Sequence, residues 1–449
     1  MSMILFVAMR AIERRKFLKR TLTGAAGVLG FPTIVPSTVL GANGATPPSE
    51  RITIGCIGAG RMGSGHVRDC ASREDVRVLA VCDAQESRRQ RAKQAVDAKY
   101  SDSGCAAYND FRELLSRDDI DAVVIATGER WHPLIGIEAA RRGKHIYCEK
   151  PMAVTAAEAK ALRAAVQRSG VVFQFGTQQR SSHYFRFGCE LVRNGRIGQL
   201  RKIAIASTGG PYTPLPPEQP APVPAGFDYD LWLGPSPWAP YSDLRVSLHW
   251  LNIHDYGLGH VAGSWGIHDV DIAQWVNQSE YTTPIGVEAT GELYTDIRDT
   301  AAVYDIEYEY ANGVRVNMAD LVTARKKYPQ FRQGGMASVF FGDAGWVYVS
   351  REGNRTYPES LMRTVIGPNE DRVIFSNDHK RNFLDAIRTG KPTISPVEVA
   401  ACDEFICQMG HIAIERKRKL SWDPAREMFT GDEEANRMLS RALRSPWRL

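Results

Sequence analysis

Three stretches of this 449-residue chain have residue types and spacing that can do chemistry: Ile57-Gly58-Ala59-Gly60-Arg61-Met62-Gly63, the acid Asp83 20 residues beyond Gly63, and Glu149-Lys150-Pro151. Gly58 permits a tight turn, Gly60 lets the backbone approach a pyrophosphate, and Gly63 lets a following helix pack closely. Arg61 and Met62 open that helix, whose N-terminal N–H groups and partial positive charge attract phosphate. Asp83 is placed to accept hydrogen bonds from an adenosine ribose diol. A 2′-phosphate would face the same carboxylate, so the pattern favours NAD over NADP, with Arg88 and Arg89 as the feature that softens the preference. Lys150 ends an apolar run, a position that sets an amine beside a nicotinamide, where it polarises or deprotonates a substrate hydroxyl.

The elements that must hold these residues can be read from the apolar runs. Ile52–Ile57 and Val76–Asp83 predict buried parallel strands, with helices over 87–98 and 110–116. Phe111, Leu114 and Leu115 share one face of the second helix. Strands at 121–127, 145–149 and 171–175 alternate with helices at 133–142 and 156–169, which predicts a doubly wound parallel sheet over 51–177. From 178 to 449 the pattern changes to an α+β domain for substrate binding and oligomerisation. Its strand-like runs at 202–208, 285–294, 302–310, 314–320, 338–342 and 346–350 predict a large mixed or antiparallel open sheet in hairpin succession. Ala311-Asn312-Gly313 is its strongest turn signal. Residues 211–240 hold ten of the chain's 24 prolines and read as a semi-rigid excursion. Its tryptophans, Trp232 and Trp238, either floor a sugar site or anchor the loop.

Composition is that of an ordinary soluble protein, with 43% hydrophobic and 24% charged residues and a net charge of +5. The basic run Arg416–Lys419 has no interleaved aromatics and reads as a solvated helix end, which argues against nucleic acid as a partner. The eight cysteines form no C-x-x-C pair, so neither a disulfide framework nor a metal site is expected. Arg14-Arg15-Lys16-Phe17-Leu18-Lys19, followed by a Gly- and Pro-broken apolar stretch to Gly41, resembles a twin-arginine (Tat) export signal over 1–45, with a linker at 46–50. The breakers argue against a stable membrane span. Such export carries folded protein through the Tat translocase to the periplasm. A chain that needs NAD would then bind it tightly and carry it along.

Next to the dinucleotide pattern, Glu149-Lys150-Pro151 resembles the signature of the Gfo/Idh/MocA family of sugar and cyclitol dehydrogenases. So do Ala126-Thr127 with Trp131-His132, Gly266-x-His268, and Asn382-Phe383-Leu384-Asp385-Ala386. The closing stretch from Trp422-Asp423-Pro424 to Glu434-Ala435-Asn436 looks like the subgroup that carries twin-arginine leaders. The resemblance implies Lys150 and His268 as catalytic residues flanking the substrate, and Thr127, His132 and Glu149 at the cofactor. It also implies homodimers or homotetramers joined through the open sheet. Gln179 and Arg180, at the domain junction, read as ligands for a sugar hydroxyl or carboxylate, or as an interdomain salt bridge. Asp255, Trp265 and Asp271 complete the expected substrate set. One departure stands out: the family's aspartate four residues before the histidine is Ser264 here. The first functional reading is an exported NAD-dependent oxidoreductase acting on a sugar or cyclitol carbinol. The others are an NAD-assisted glycoside hydrolase, which oxidises, eliminates and re-reduces, and a sugar-binding protein without turnover.

Overall fold

The computed structural model describes residues 47–449; the leader expected over 1–45 lies outside the described residues. Residues 52–449 form one compact unit built on two sheets. The first comprises β1 (Ile52–Ile57), β2 (Val76–Cys82), β3 (Ala106–Tyr108), β4 (Ala122–Ile125), β5 (His145–Cys148) and β6 (Phe173–Phe175). It is parallel throughout, in the order β3-β2-β1-β4-β5-β6. That order reverses at the β1/β4 boundary, the switch point where such a sheet binds its ligand. β1, β2 and β4 are almost continuously apolar because helices cover both of their faces.

The Ala156–Ser169 helix shows how local chemistry sets a boundary. Thr155 Oγ1 accepts from the Glu158 amide, Glu158 Oε2 accepts from the Thr155 amide at 2.8 Å, and Gly170 ends the helix at φ +67°.

The second sheet has nine strands: β7 (Leu200–Ser207), β8 (Gly286–Leu293), β9 (Ala301–Glu309), β10 (Arg315–Asp320), β11 (Ala337–Gly342), β12 (Trp346–Val349), β13 (Asn354–Tyr357), β14 (Leu420–Asp423) and β15 (Met428–Phe429). Its order is β13-β12-β11-β7-β10-β9-β8-β14-β15. The expected turn joins β9 to β10, with Gly313 at φ +84°. The expectation of simple hairpin succession needs correction. β7 lies parallel to β10 and antiparallel to β11, so it inserts between strands that come far later in the chain. Strands β3, β13, β14 and β15, which lie at or next to the sheet edges, are two to four residues long, too short to show a periodicity in sequence.

Helices Gly266–Val276 and Val397–Arg416 pack together against the second sheet. The first is buried at every position and the second at all but a few. Among the described residues, no helix is long and apolar enough to cross a membrane.

Candidate functional site

A cavity of about 800 Å³ opens at the C-terminal ends of β1, β2, β4 and β5, within the range of small-molecule and cofactor sites. Gly58, Gly60, Arg61, Met62, Asp83 and Thr127 line one end of it. Gly58 has φ +91°, and a Cβ there would lie 2.4 Å from the Ala126 carbonyl oxygen. Gly63 stands behind the lining, where a Cβ would fall 1.9 Å from Gly58 O; its role is to seat the Arg61–Ser72 helix on the turn. Asp83 Oδ2 accepts from the Ala59 amide and Oδ1 from the Gln85 amide, both at 2.8 Å, so this carboxylate braces the turn it serves. Burial pushes its pKa up. Arg88 lines the cavity at this end, whereas Arg89 is turned back onto Asp83 O and Asn109. Turn, helix N-terminus and acid together fit a dinucleotide.

Glu149, Lys150, Trp265 and His268 line the other end. Glu149 is a hub. It accepts from His66 Nε2 and Gln178 Nε2, both at 2.8 Å. Lys380 Nζ, which can only donate, contacts His66 Nδ1 at 2.5 Å, so the His66 proton sits on Nε2 and points at Glu149. Burial alone would raise the Glu149 carboxyl, but His66, Lys150 and His268 outweigh it and hold it at about 2. Lys150 Nζ donates to Gly263 O at 2.6 Å, and burial lowers its pKa. His268, in the Gly266–Val276 helix, is pushed well down by burial and by Lys150, and its Nδ1 has no hydrogen-bond partner among the described residues.

Sequence reasoning missed Glu129. It is 1% exposed and lines the cavity, and its Oε2 accepts from the Leu258 amide at 3.1 Å while Oε1 has no hydrogen-bond partner among the described residues. A Cβ on Gly263 would meet that free oxygen at 2.2 Å, so Glu129 and Lys150 converge on the same glycine. Burial drives Glu129 up to about 8 against the pull of Lys150. The signal available in sequence was an acid two residues past Thr127, just beyond the end of an apolar strand. Arg351 was missed as well. It lies 4.0 Å over the Trp265 ring in the cavity, near Asp269, which burial raises to about 7. In the Pro-rich excursion, Trp232 lines the cavity under the buried Arg130, while Trp238 faces solvent.

Besides Gly63, five of the expected residues do not line the cavity. His132 is buried behind it, with Nδ1 2.6 Å from Pro151 O and Nε2 3.2 Å from Thr127 O, and joins two lining loops. Gln179 is buried away from the lining, and its neighbour Gln178 takes the place beside Glu149. Arg180 pairs with Asp271 and Glu280 in the interior, a salt bridge within the 178–449 domain and not an interdomain one, which places both Arg180 and Asp271 outside the cavity lining. Asp255 is exposed outside the cavity. Ser264 does line it, and its carbonyl faces Lys150 Nζ at 3.4 Å.

Residues 52–177 match the model of an oxidoreductase family's NAD-binding Rossmann fold (GFO_IDH_MocA), and 191–449 match the model of that family's C-terminal alpha/beta domain. An inositol 2-dehydrogenase of Salmonella typhimurium is 34% identical over 149 residues, covering 32% of this chain and 42% of the relative. An alpha-N-acetylgalactosaminidase of Shewanella oneidensis is 32% identical over 211 residues, 43% of this chain and 45% of the relative. The chain thus spans about half the length of the curated relatives it matches. The crystal structure of scyllo-inositol dehydrogenase from Lactobacillus casei, with NAD(H) and scyllo-inositol, shares the fold at a TM-score of 0.55 and 16% identity, covering 83% of this chain and 99% of that one.

Proposed function

The chain belongs to the Gfo/Idh/MocA oxidoreductase family, and from that premise we propose that it transfers hydride between a sugar or cyclitol carbinol carbon and NAD. One observation carries the reading: a single cavity holds the glycine turn with Asp83 at one end and Lys150, Glu129 and His268 at the other. Gly58, Gly60 and Asp83 would hold the dinucleotide, whose nicotinamide, when bound, supplies a hydride acceptor. A substrate hydroxyl at that end meets Lys150 Nζ. Lys150 and Glu129 are charge-coupled across Gly263, so they take up the hydroxyl proton as a pair. His268, neutral and with Nδ1 free, is available to hydrogen-bond a second hydroxyl and fix the ring. Arg351 and the Trp265 face border the same end.

The resemblance to an alpha-N-acetylgalactosaminidase, together with serine at position 264, supports a second reading, NAD-assisted glycoside hydrolysis. In either case the reading includes tightly held NAD, export of the folded chain by the Tat pathway, and homo-oligomers built on the second sheet. The test is to release bound nucleotide by denaturation, identify it, and follow intact protein at 340 nm while adding sugars, cyclitols and glycosides. Stoichiometric NAD that becomes NADH with one class of sugar or cyclitol is the expected result, and Lys150→Met should abolish it. Glycoside cleavage without accumulating NADH would favour the second reading. A protein that neither carries nor takes up nucleotide would refute both.

A further inference from the structure

Away from the cavity, His254, His411 and Glu415 bring one side-chain donor atom each to within 4.8 Å of the others. His411 and Glu415 lie one turn apart on the Val397–Arg416 helix. His254 follows the short Leu248–Asn252 helix and brings its ring centroid to 4.7 Å from that of His411. His411 is 1% exposed. Glu415 Oε1 lies 2.8 Å from its Nε2, an ion-pair contact, while among the described residues its Nδ1 has no hydrogen-bond partner. An unpartnered ring nitrogen in the interior costs free energy unless something satisfies it. The nearby cation, Arg441, is already engaged by Glu158 and by Asp255 O. Asp299, whose Oδ1 accepts from the His254 amide at 2.6 Å, adds negative charge beside the group.

We propose that His254, His411 and Glu415 form a binding site for a divalent transition-metal ion, with zinc as the best match to two imidazoles and one carboxylate. Tetrahedral zinc with bonds of about 2.1 Å needs donors about 3.4 Å apart, a spacing between the 2.8 Å of His411 Nε2 and Glu415 Oε1 and the 4.8 Å that bounds the group. Water completes the coordination. The ligands come from positions 254 and 411, far apart in the chain, so no spacing in the sequence points to a metal. The ion would tie the 248–254 segment, where Trp250 and Leu251 line the cavity, to the long helix. It stands apart from the hydride-transfer reading, which needs no metal.

The test uses untagged full-length protein dialysed against chelator. Zinc alone is then added and counted by elemental analysis, and Co²⁺ is used as a spectroscopic probe. One zinc per chain and a four- or five-coordinate Co²⁺ spectrum are expected. His254→Gln and Glu415→Gln, both at part-exposed positions, should each weaken binding at least about tenfold while nucleotide content is unchanged. Substoichiometric zinc at micromolar concentration would overturn the proposal, as would Co²⁺ spectra identical in the wild type and both variants.

Discussion

Glu129 is the residue whose chemistry most depends on its surroundings. Burial lifts its carboxyl from the ordinary range to about 8, and Lys150 only partly opposes this. If the Lys150–Glu129 pair receives the hydroxyl proton, oxidation should accelerate as pH rises toward 8 and Glu129 ionises. Glu129→Gln should flatten that limb and lower kcat by roughly 10²-fold or more. An unchanged pH–rate profile in the variant would remove Glu129 from proton transfer. The same shift has a stability consequence. The folded state binds a proton that the unfolded chain releases above pH 4.5, so this group's contribution to stability declines as pH rises through about 8. Between pH 6 and pH 9 the wild type should lose roughly 2–3 kcal/mol through this one group, and the glutamine variant should not. Urea unfolding at the two pH values measures the difference.

At the scale of elements, the turn after β1 is the part most tightly specified by sequence. Gly63→Ala would put a methyl 1.9 Å from Gly58 O. That should cost about 1–3 kcal/mol and weaken nucleotide binding, measured by thermal shift and by released NAD. Gly65, on the same helix with open space around its Cα, is the control. Gly65→Ala should stabilise by about 0.5–1 kcal/mol and leave nucleotide binding alone. Equal gains in both variants would mean that helix propensity, not packing on the turn, governs the site. The contrast also explains what could be read in advance. β1, β2 and β4 are apolar runs closed by a glycine or an acid, and the Ala156–Ser169 helix carries its own capping box, so these elements announce themselves locally. The parallel β7–β10 pair depends on a neighbour far away in the chain, which no window reveals, and the four short strands are too brief to show a period even where their partner is adjacent in sequence, as in β12–β13 and β14–β15. Lys150 could be named because it follows a legible strand, and His268 because Gly266-x-His268 resembles the family's motif. Glu129 left only the weak signal of an acid just past a strand end and Arg351 left none, since it is the fold that turns them inward.

Over the whole molecule, the cavity takes its lining from both halves of the chain, so the groups that fix the segment after β6 against the Gly266–Val276 helix set its geometry without lining it. Arg180, at the junction, could be read from sequence as a sugar ligand or as a salt bridge. The fold gives the second. Its guanidinium is 1% exposed and pairs with Asp271 at 2.7 Å and Glu280 at 2.6 Å, while a third acid, Asp403, lies close by with both oxygens unpartnered. Burial opposes the Arg180 charge, yet Asp271 and Glu280 hold it above its ordinary range; burial and Asp271 push Asp403 well up, toward its neutral form. Removing the cation leaves Asp271 charged in the interior, and Arg180→Ala should therefore cost about 3–5 kcal/mol in urea unfolding. Arg180→Ala combined with Asp271→Asn removes both charges and should recover part of that loss. A substrate ligand would behave differently: Arg180→Ala would raise KM several-fold with stability unchanged, and Asp271→Asn would not rescue it. The two outcomes separate a residue that holds the cavity in shape from one that reads what enters it.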